Sequence, residues 1–170
     1  NRSGDNNADI PADNCTAFLV PNAVTADGHG MFGQTWDMHA SATPYVIMLR
    51  GKPANAPAFL SFTIAGCIGM IGMNDAGIAV GINNIRSTDG QTGVTWNFVV
   101  RKILMQDNLD DALACITAAK LAGAHNYMLM DKHGNGYNVE AMPTQQQITP
   151  LASTAISHTN HCLTARTRRT

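Results

Sequence analysis

The chain has 170 residues, 45% of them apolar and only 14% charged, with a formal net charge of −1. That is enough apolar material for one folded domain with its own core, and too much for a disordered chain. The balanced charge, with no basic run or stripe, argues against nucleic acid as the main partner, and no window reaches the ~18 apolar residues of a membrane span.

In chain order, residues 1–14 are polar, rich in Asn and Asp, and carry Pro11. They lack the basic-then-apolar pattern of a secretory signal and are expected to form a mobile leader. The chain opens on Asn rather than Met, so a targeting segment is not readable, and a cytoplasmic location is the default expectation. The alternating run CTAFLV, residues 15–20, predicts a strand. A turn-rich stretch over 21–30 contains Asp27-Gly28, and a second strand is expected over about 31–37. Apolar runs at 44–49 and within 56–66 have buried-strand length. Residues 67–84 predict two short strands joined around Asn74-Asp75-Ala76-Gly77, so this part of the chain should be antiparallel hairpins.

The pattern changes at 92–106, where Val94, Phe98, Ile103 and Met105 fall beside Trp96 and Val99 at roughly helical spacing. A second helix is expected after Asn108, a candidate N-cap, with Asp110 and Asp111 in the first turn where the helix dipole favours them. Leu109, Leu113, Ile116 and Leu121 make its apolar face, and Gly123 suits its C-terminal end. Strands resume at 125–131, 137–142 and 154–158. Hairpins, a helix pair and hairpins again predict a layered α+β fold in one domain over 15–170.

The four cysteines, Cys15, Cys67, Cys115 and Cys162, are 52, 48 and 47 residues apart and form no CxxC, so reduced thiols are expected. Cys15 stands where the polar leader meets the first strand. A thiol attacks as thiolate and needs a base. A cut between Asn14 and Cys15 would place a free α-amine, with an ordinary pKa of ~8, on the same residue as the thiol. Against this stands the plain reading of a packed thiol. Asp37 could orient a thiol or an ammonium, or simply cap a turn. Asparagines in GINN (81–84) and SHTNHC (157–162) could donate to a developing oxyanion, or merely form turns. His158, His161 and Cys162 invite a metal reading, but no carboxylate or cysteine pair accompanies them, and no metal or other cofactor is expected.

Five segments occur in a telling order: Cys15-Thr16-Ala17, Gly33-Gln34-Thr35-Trp36-Asp37, Gly72-Met73-Asn74-Asp75-Ala76-Gly77, Gly81-Ile82-Asn83 and His158-Thr159-Asn160-His161. With the block at 125–143, they resemble the acyl-CoA:6-aminopenicillanic acid acyltransferase (isopenicillin N acyltransferase) family and, more distantly, the choloylglycine hydrolases and penicillin V acylases. The resemblance covers nearly all of 15–163. It implies an N-terminal-nucleophile (Ntn) hydrolase, a four-layer αββα sandwich of two antiparallel sheets between helical layers. It implies self-cleavage between Asn14 and Cys15, followed by acyl transfer or hydrolysis at amide or thioester carbonyls. Cys15 would be the nucleophile and its freed amine the base. Asp37 would orient both, while Asn83, largely through its backbone N–H, and Asn160, through its side-chain amide, would form the oxyanion hole. The implied partners are a small acyl-amide or acyl-CoA substrate and the chain's own cleaved propeptide, with homo-oligomerisation left open.

Two departures stand out. Choloylglycine hydrolases carry Arg where this chain has Gln34, whereas the acyltransferase branch has Gln. The family's arginine downstream of His-Thr-Asn has no match, since Arg166, Arg168 and Arg169 lie too close to Asn160. The final strands and outer helices are therefore expected to be missing at the C-terminal side. An inactive or unprocessed ligand-binding relative is the alternative. Specificity is expected from loops at 38–58 and 85–93, whose residues name no ligand, so the substrate-binding residues are unknown.

Overall fold

The structure, a computed structural model, describes residues 15–169. The expected leader, and Asn14 with its side of the expected cleavage bond, lie outside the described residues. The strands are β1 (Ala17–Val20), β2 (Met31–Gln34), β3 (Val46–Gly51), β4 (Phe59–Ile64), β5 (Ile71–Asn74) and β6 (Ala79–Asn84). Two helices follow, α1 (Trp96–Ile103) and α2 (Leu109–Thr117), and then β7 (His125–Met130), β8 (Gly136–Ala141), β9 (Gln146–Pro150) and β10 (Ile156–His158).

Every strand pairing is antiparallel, in two sheets: a seven-stranded sheet in the order β3-β4-β5-β6-β7-β8-β9, and a three-stranded sheet in the order β10-β1-β2. Burial follows the strand period. In β1, Ala17 and Leu19 point inward and Phe18 outward. The central strands β6, β7 and β8 are buried almost throughout because both their faces are covered. On one face, Val80, Ile82, Tyr127, Leu129 and Val139 pack against Val99, Val100, Ile103 and Ile116 of the helices. On the other, Met128 and Met130 pack against Ala17 and Leu19 of the small sheet, with Phe32 and Ile156 alongside. The layers are thus helices, large sheet, small sheet. The described residues form one helical layer; the second that the resemblance implies is not among them.

Local chemistry sets the element ends. In the β5–β6 hairpin, Gly77 sits at φ +95°, a conformation that L side chains rarely adopt. Asn74 Oδ1 accepts from Ile78 N at 2.9 Å, and its Nδ2 donates to Leu104 O and Gln106 O, tying the hairpin to the end of α1. Asn108 caps α2 as expected, its Oδ1 accepting from Asp111 N at 2.9 Å.

Several boundaries differ from the sequence expectation. The second strand ends at Gln34 rather than residue 37, so Asp37 lies beyond it. Residues 40–45 form a 3₁₀ turn around Pro44, which delays β3 to Val46. The buried face of α1 is Val99, Val100 and Ile103, with Phe98, Val94 and Met105 exposed. α2 ends at Thr117 with Ala118 as C-cap, so Gly123 does not terminate it. β9 was not expected. Its QQITP sequence is polar, and as the sheet's edge strand it needs to bury little.

Candidate active site

β1 begins at Ala17, so Cys15 stands just before the small sheet. It is buried and lines a cavity of about 260 Å³. Trp36, Met38, Met70, Ile82 and Trp96 give that cavity its apolar wall, with Cys15, Asn84 and His125 as its polar points. Trp36 is braced edge-on by Phe62, ring centroids 5.6 Å apart.

Cys15 N donates to Asn160 Oδ1 at 2.5 Å, and Asn160 Nδ2 donates to Asn84 O at 2.8 Å. One side-chain amide therefore joins the nucleophile candidate to strand β6, and the Asn160 NH₂ keeps its second hydrogen for another acceptor. Gln34 makes a related clasp: its Nε2 donates to Ile82 O while its Oε1 accepts from Ile82 N at 2.8 Å. Gly81 permits this approach, because a Cβ there would run into Gln34 and the Phe32 ring.

The clasp agrees with the facing of β6 that its pairing with β5 and β7 sets. With Ile82 N–H and C=O turned to Gln34, strand alternation turns the backbone of Asn83 toward its β7 partner Asn126, and that of Asn84 back toward Asn160. The Asn83 side chain is buried; its Oδ1 accepts from Asn126 Nδ2 at 3.4 Å, and its Nδ2 has no partner among the described residues. The structure thus brings Cys15, Asn160 and Asn84 together. It does not bring Asn83 to the cavity wall. Asp37 is exposed, and its side chain makes no hydrogen bond among the described residues. In the sequence Asn84 is one of two candidate asparagines in GINN and the resemblance singles out Asn83, although a period of two from Ile82 carries the signal for Asn84.

His158 is engaged elsewhere: its Nε2 lies 2.9 Å from Glu140 Oε1 and its Nδ1 2.6 Å from Thr159 O. Among the described residues no group of three His, Cys, Asp or Glu side chains converges as a metal site would require. None of the four cysteines is in a disulfide. No helix among the described residues is long and apolar enough to cross a membrane.

The shifts at His125 and Glu140 bear on stability in acid. Burial alone holds His125 down at about 4, so at neutral pH it is an uncharged imidazole beside Trp96. Burial opposes ionisation of Glu140, but hydrogen bonds from His158, Leu163 N, Thr167 and Thr164 outweigh it and hold that carboxyl at about 2. Each folded value lies below the ordinary one, 6.5 for His and 4.5 for Glu. The stability each group contributes is complete above its ordinary pKa and is lost as pH falls toward its folded pKa. Acid should therefore destabilise the fold in two stages, from pH 6.5 to about 4 through His125 and from pH 4.5 to about 2 through Glu140. Each stage is worth roughly 3 kcal/mol at most. A His125→Phe variant should flatten the first stage in thermal melts recorded across pH; an unchanged slope would remove His125 as its cause.

The profile of the acyl-coenzyme A:6-aminopenicillanic acid acyl-transferase family matches residues 24–169. The 40 kDa form of acyl-coenzyme A:6-aminopenicillanic-acid-acyltransferase from Emericella nidulans is 28% identical over 156 residues, covering 89% of this chain and 42% of its own length. The chain thus spans less than half of that relative. Among solved structures, a Caenorhabditis elegans ortholog of N-acylethanolamine-hydrolyzing acid amidase superposes with a TM-score of 0.70 at 14% identity, covering 92% of this chain and 74% of its own. A mutant conjugated bile acid hydrolase from Clostridium perfringens superposes with a TM-score of 0.62 at 14% identity, covering 89% and 54%. The two antiparallel sheets are those of the Ntn-hydrolase fold, and the chain belongs to the acyl-coenzyme A:6-aminopenicillanic acid acyl-transferase family.

Proposed function

We propose that this chain carries the nucleophile half of a self-processing cysteine acyltransferase or amidohydrolase. The observation that carries the reading is the join at Cys15: its backbone nitrogen is held by Asn160 Oδ1 at 2.5 Å while the residue lines an apolar cavity. Cleavage between Asn14 and Cys15 would turn that nitrogen into a free amine without moving it, so Asn160 would hold the general base in place.

In the proposed cycle the amine takes the Cys15 thiol proton and the thiolate attacks the substrate carbonyl. The C=O electron pair moves to oxygen, where the second hydrogen of Asn160 Nδ2 and a β6 backbone N–H receive the charge. The sequence pattern points to Asn83 for that N–H; the facing of β6 favours Asn84. Collapse of the intermediate expels the amine or thiol leaving group with the proton from the α-amine, leaving an acyl-thioester on Cys15. Water or an acceptor amine then releases the acyl group and regenerates the thiol. Self-cleavage would use the same thiol against the carbonyl of Asn14.

The cavity lies at the small end of ligand sites and its wall is apolar, with His125 neutral. It suits the apolar acyl portion of an acyl-amide or acyl-CoA, with the remainder of the substrate outside. Incubating the processed full-length protein with acyl-CoAs and N-acyl amides, without an acceptor, should leave an acyl mass on the Cys15 peptide. A panel that yields turnover but never a Cys15 adduct, even on rapid quenching, would sink the acyl-thioester.

One observation favours a second reading, an unprocessed binding protein of the same fold. Asp37, which the resemblance assigns to orienting the amine, stands exposed, with no side-chain hydrogen bond among the described residues. That reading requires full-length protein in which residues 14 and 15 remain joined.

A further inference from the structure

Strand register sets three buried polar side chains opposite one another across the large sheet: Asn83 on β6, Asn126 on β7 and Glu140 on β8. They face the small sheet, where His158 on β10 pairs with Ala17, two residues from Cys15. Glu140 is the acceptor for everything around it. Its Oε1 receives His158 Nε2 at 2.9 Å and Leu163 N; its Oε2 receives Thr164 Oγ1 at 2.9 Å, Thr164 N at 3.4 Å and Thr167 Oγ1. A carboxylate, with acceptor capacity on both oxygens and no donor of its own, suits this set of neighbours.

His158 completes the arrangement. Its Nδ1 lies against Thr159 O and its Nε2 against Glu140 Oε1, so the ring is held from both sides. Asn160 follows two residues after His158 and three before Leu163. The segment carrying Asn160 is thus tied to Glu140 on both sides, while among the described residues its own side chain hydrogen-bonds to Cys15 N and Asn84 O.

We propose that Glu140, through His158 and the 163–167 segment, is a positioning residue for Asn160, holding its amide against Cys15 in the geometry that acylation needs. This rests on the acyl-transfer reading above. Glu140 touches no reacting atom, and its effect is transmitted wholly through the placement of Asn160.

The experiment compares two reactions of Cys15 in the full-length protein. Alkylation by iodoacetamide attacks a saturated carbon, expels iodide and forms no oxyanion. Acylation by p-nitrophenyl acetate forms an S–C bond through an oxyanion, expels p-nitrophenolate with the C–O electron pair, and releases the thiol proton to water. Glu140→Gln should leave alkylation within about twofold of wild type and slow acylation at least tenfold, part of the ~10²–10³ cost of losing an oxyanion donor. Glu140→Asp, which keeps the charge, should recover part of that loss. Should Glu140→Gln fail to fold by circular dichroism, Thr167→Val removes a single donor and should slow acylation severalfold with alkylation unchanged. Equal changes in both reactions, or no change in acylation, would overturn the positioning role. A wild-type Cys15 that alkylates but is never acylated would instead overturn the acyl-transfer reading itself, and the positioning role with it.

Discussion

Cys15→Ala in the full-length protein is expected to remain a single uncut chain, whereas the wild type yields a product whose first residue is Cys15. The effect should be all or none, because the remaining thiols are poor substitutes. Burial pushes Cys115 upward in pKa, and burial with the nearby Glu140 charge does the same for Cys162, so neither favours thiolate. Neither Cys67, Cys115 nor Cys162 lines the cavity. The substitution removes one buried sulfur, a loss of about 1 kcal/mol that a domain of this size tolerates, so a melting curve near that of wild type separates lost chemistry from lost fold. Intact mass is the measurement. Identical masses for uncut wild type and variant, apart from the sulfur, would refute self-processing.

Asn160→Ala carries the next largest effect. The variant loses the acceptor that holds Cys15 N and the donor to Asn84 O, and under the proposed mechanism a donor to the developing oxyanion, all from one partly exposed side chain. Loss of one oxyanion donor alone costs ~10²–10³ in rate. Acylation of Cys15 by an activated ester should fall by about that factor, and the loss should appear in kcat rather than KM, since the donor is engaged chiefly in the transition state. Restoring the amide as Asn160→Gln should recover little, because the longer side chain displaces the amide from both partners. An Asn160→Ala enzyme with wild-type kcat would remove Asn160 from the mechanism.

Features governed by neighbouring residues were readable in the sequence. The Asn74–Gly77 turn and the Asn108 cap depend on chemistry within four residues, and both form as expected. The alternation in β1 was legible because one face of a strand must meet the core. Features decided by distant partners were not. Which of Asn83 and Asn84 faces the cavity depends on the pairing of β6 with β7, whose residues lie 43 positions on at Asn83–Asn126, and Gln34 bonds Ile82 on the other edge. Phe98 looked like a core residue by spacing, yet packing turned α1 to bury Val99 and Val100 instead. Glu140 gave no signal within YNVEAM, because its meaning comes from His158, 18 residues away and in the other sheet. The Ntn resemblance supplied the two-sheet architecture that periodicity alone left at layered α+β.

The Gln34 clasp also has a bearing on how members of this fold can diverge. By giving a hydrogen to Ile82 O and taking one from Ile82 N, the side chain imitates a neighbouring backbone and stitches one sheet to the other. A guanidinium has five donors and no acceptor, so arginine at this position would strand the Ile82 N–H and could not make the same stitch. The exchange between Gln and Arg here is therefore a choice between two incompatible wirings: a neutral lock that joins the sheets, or a cation released from that duty. A single substitution from one to the other leaves the Ile82 N–H without its acceptor, at a cost of about 1–3 kcal/mol until a second change supplies a new partner.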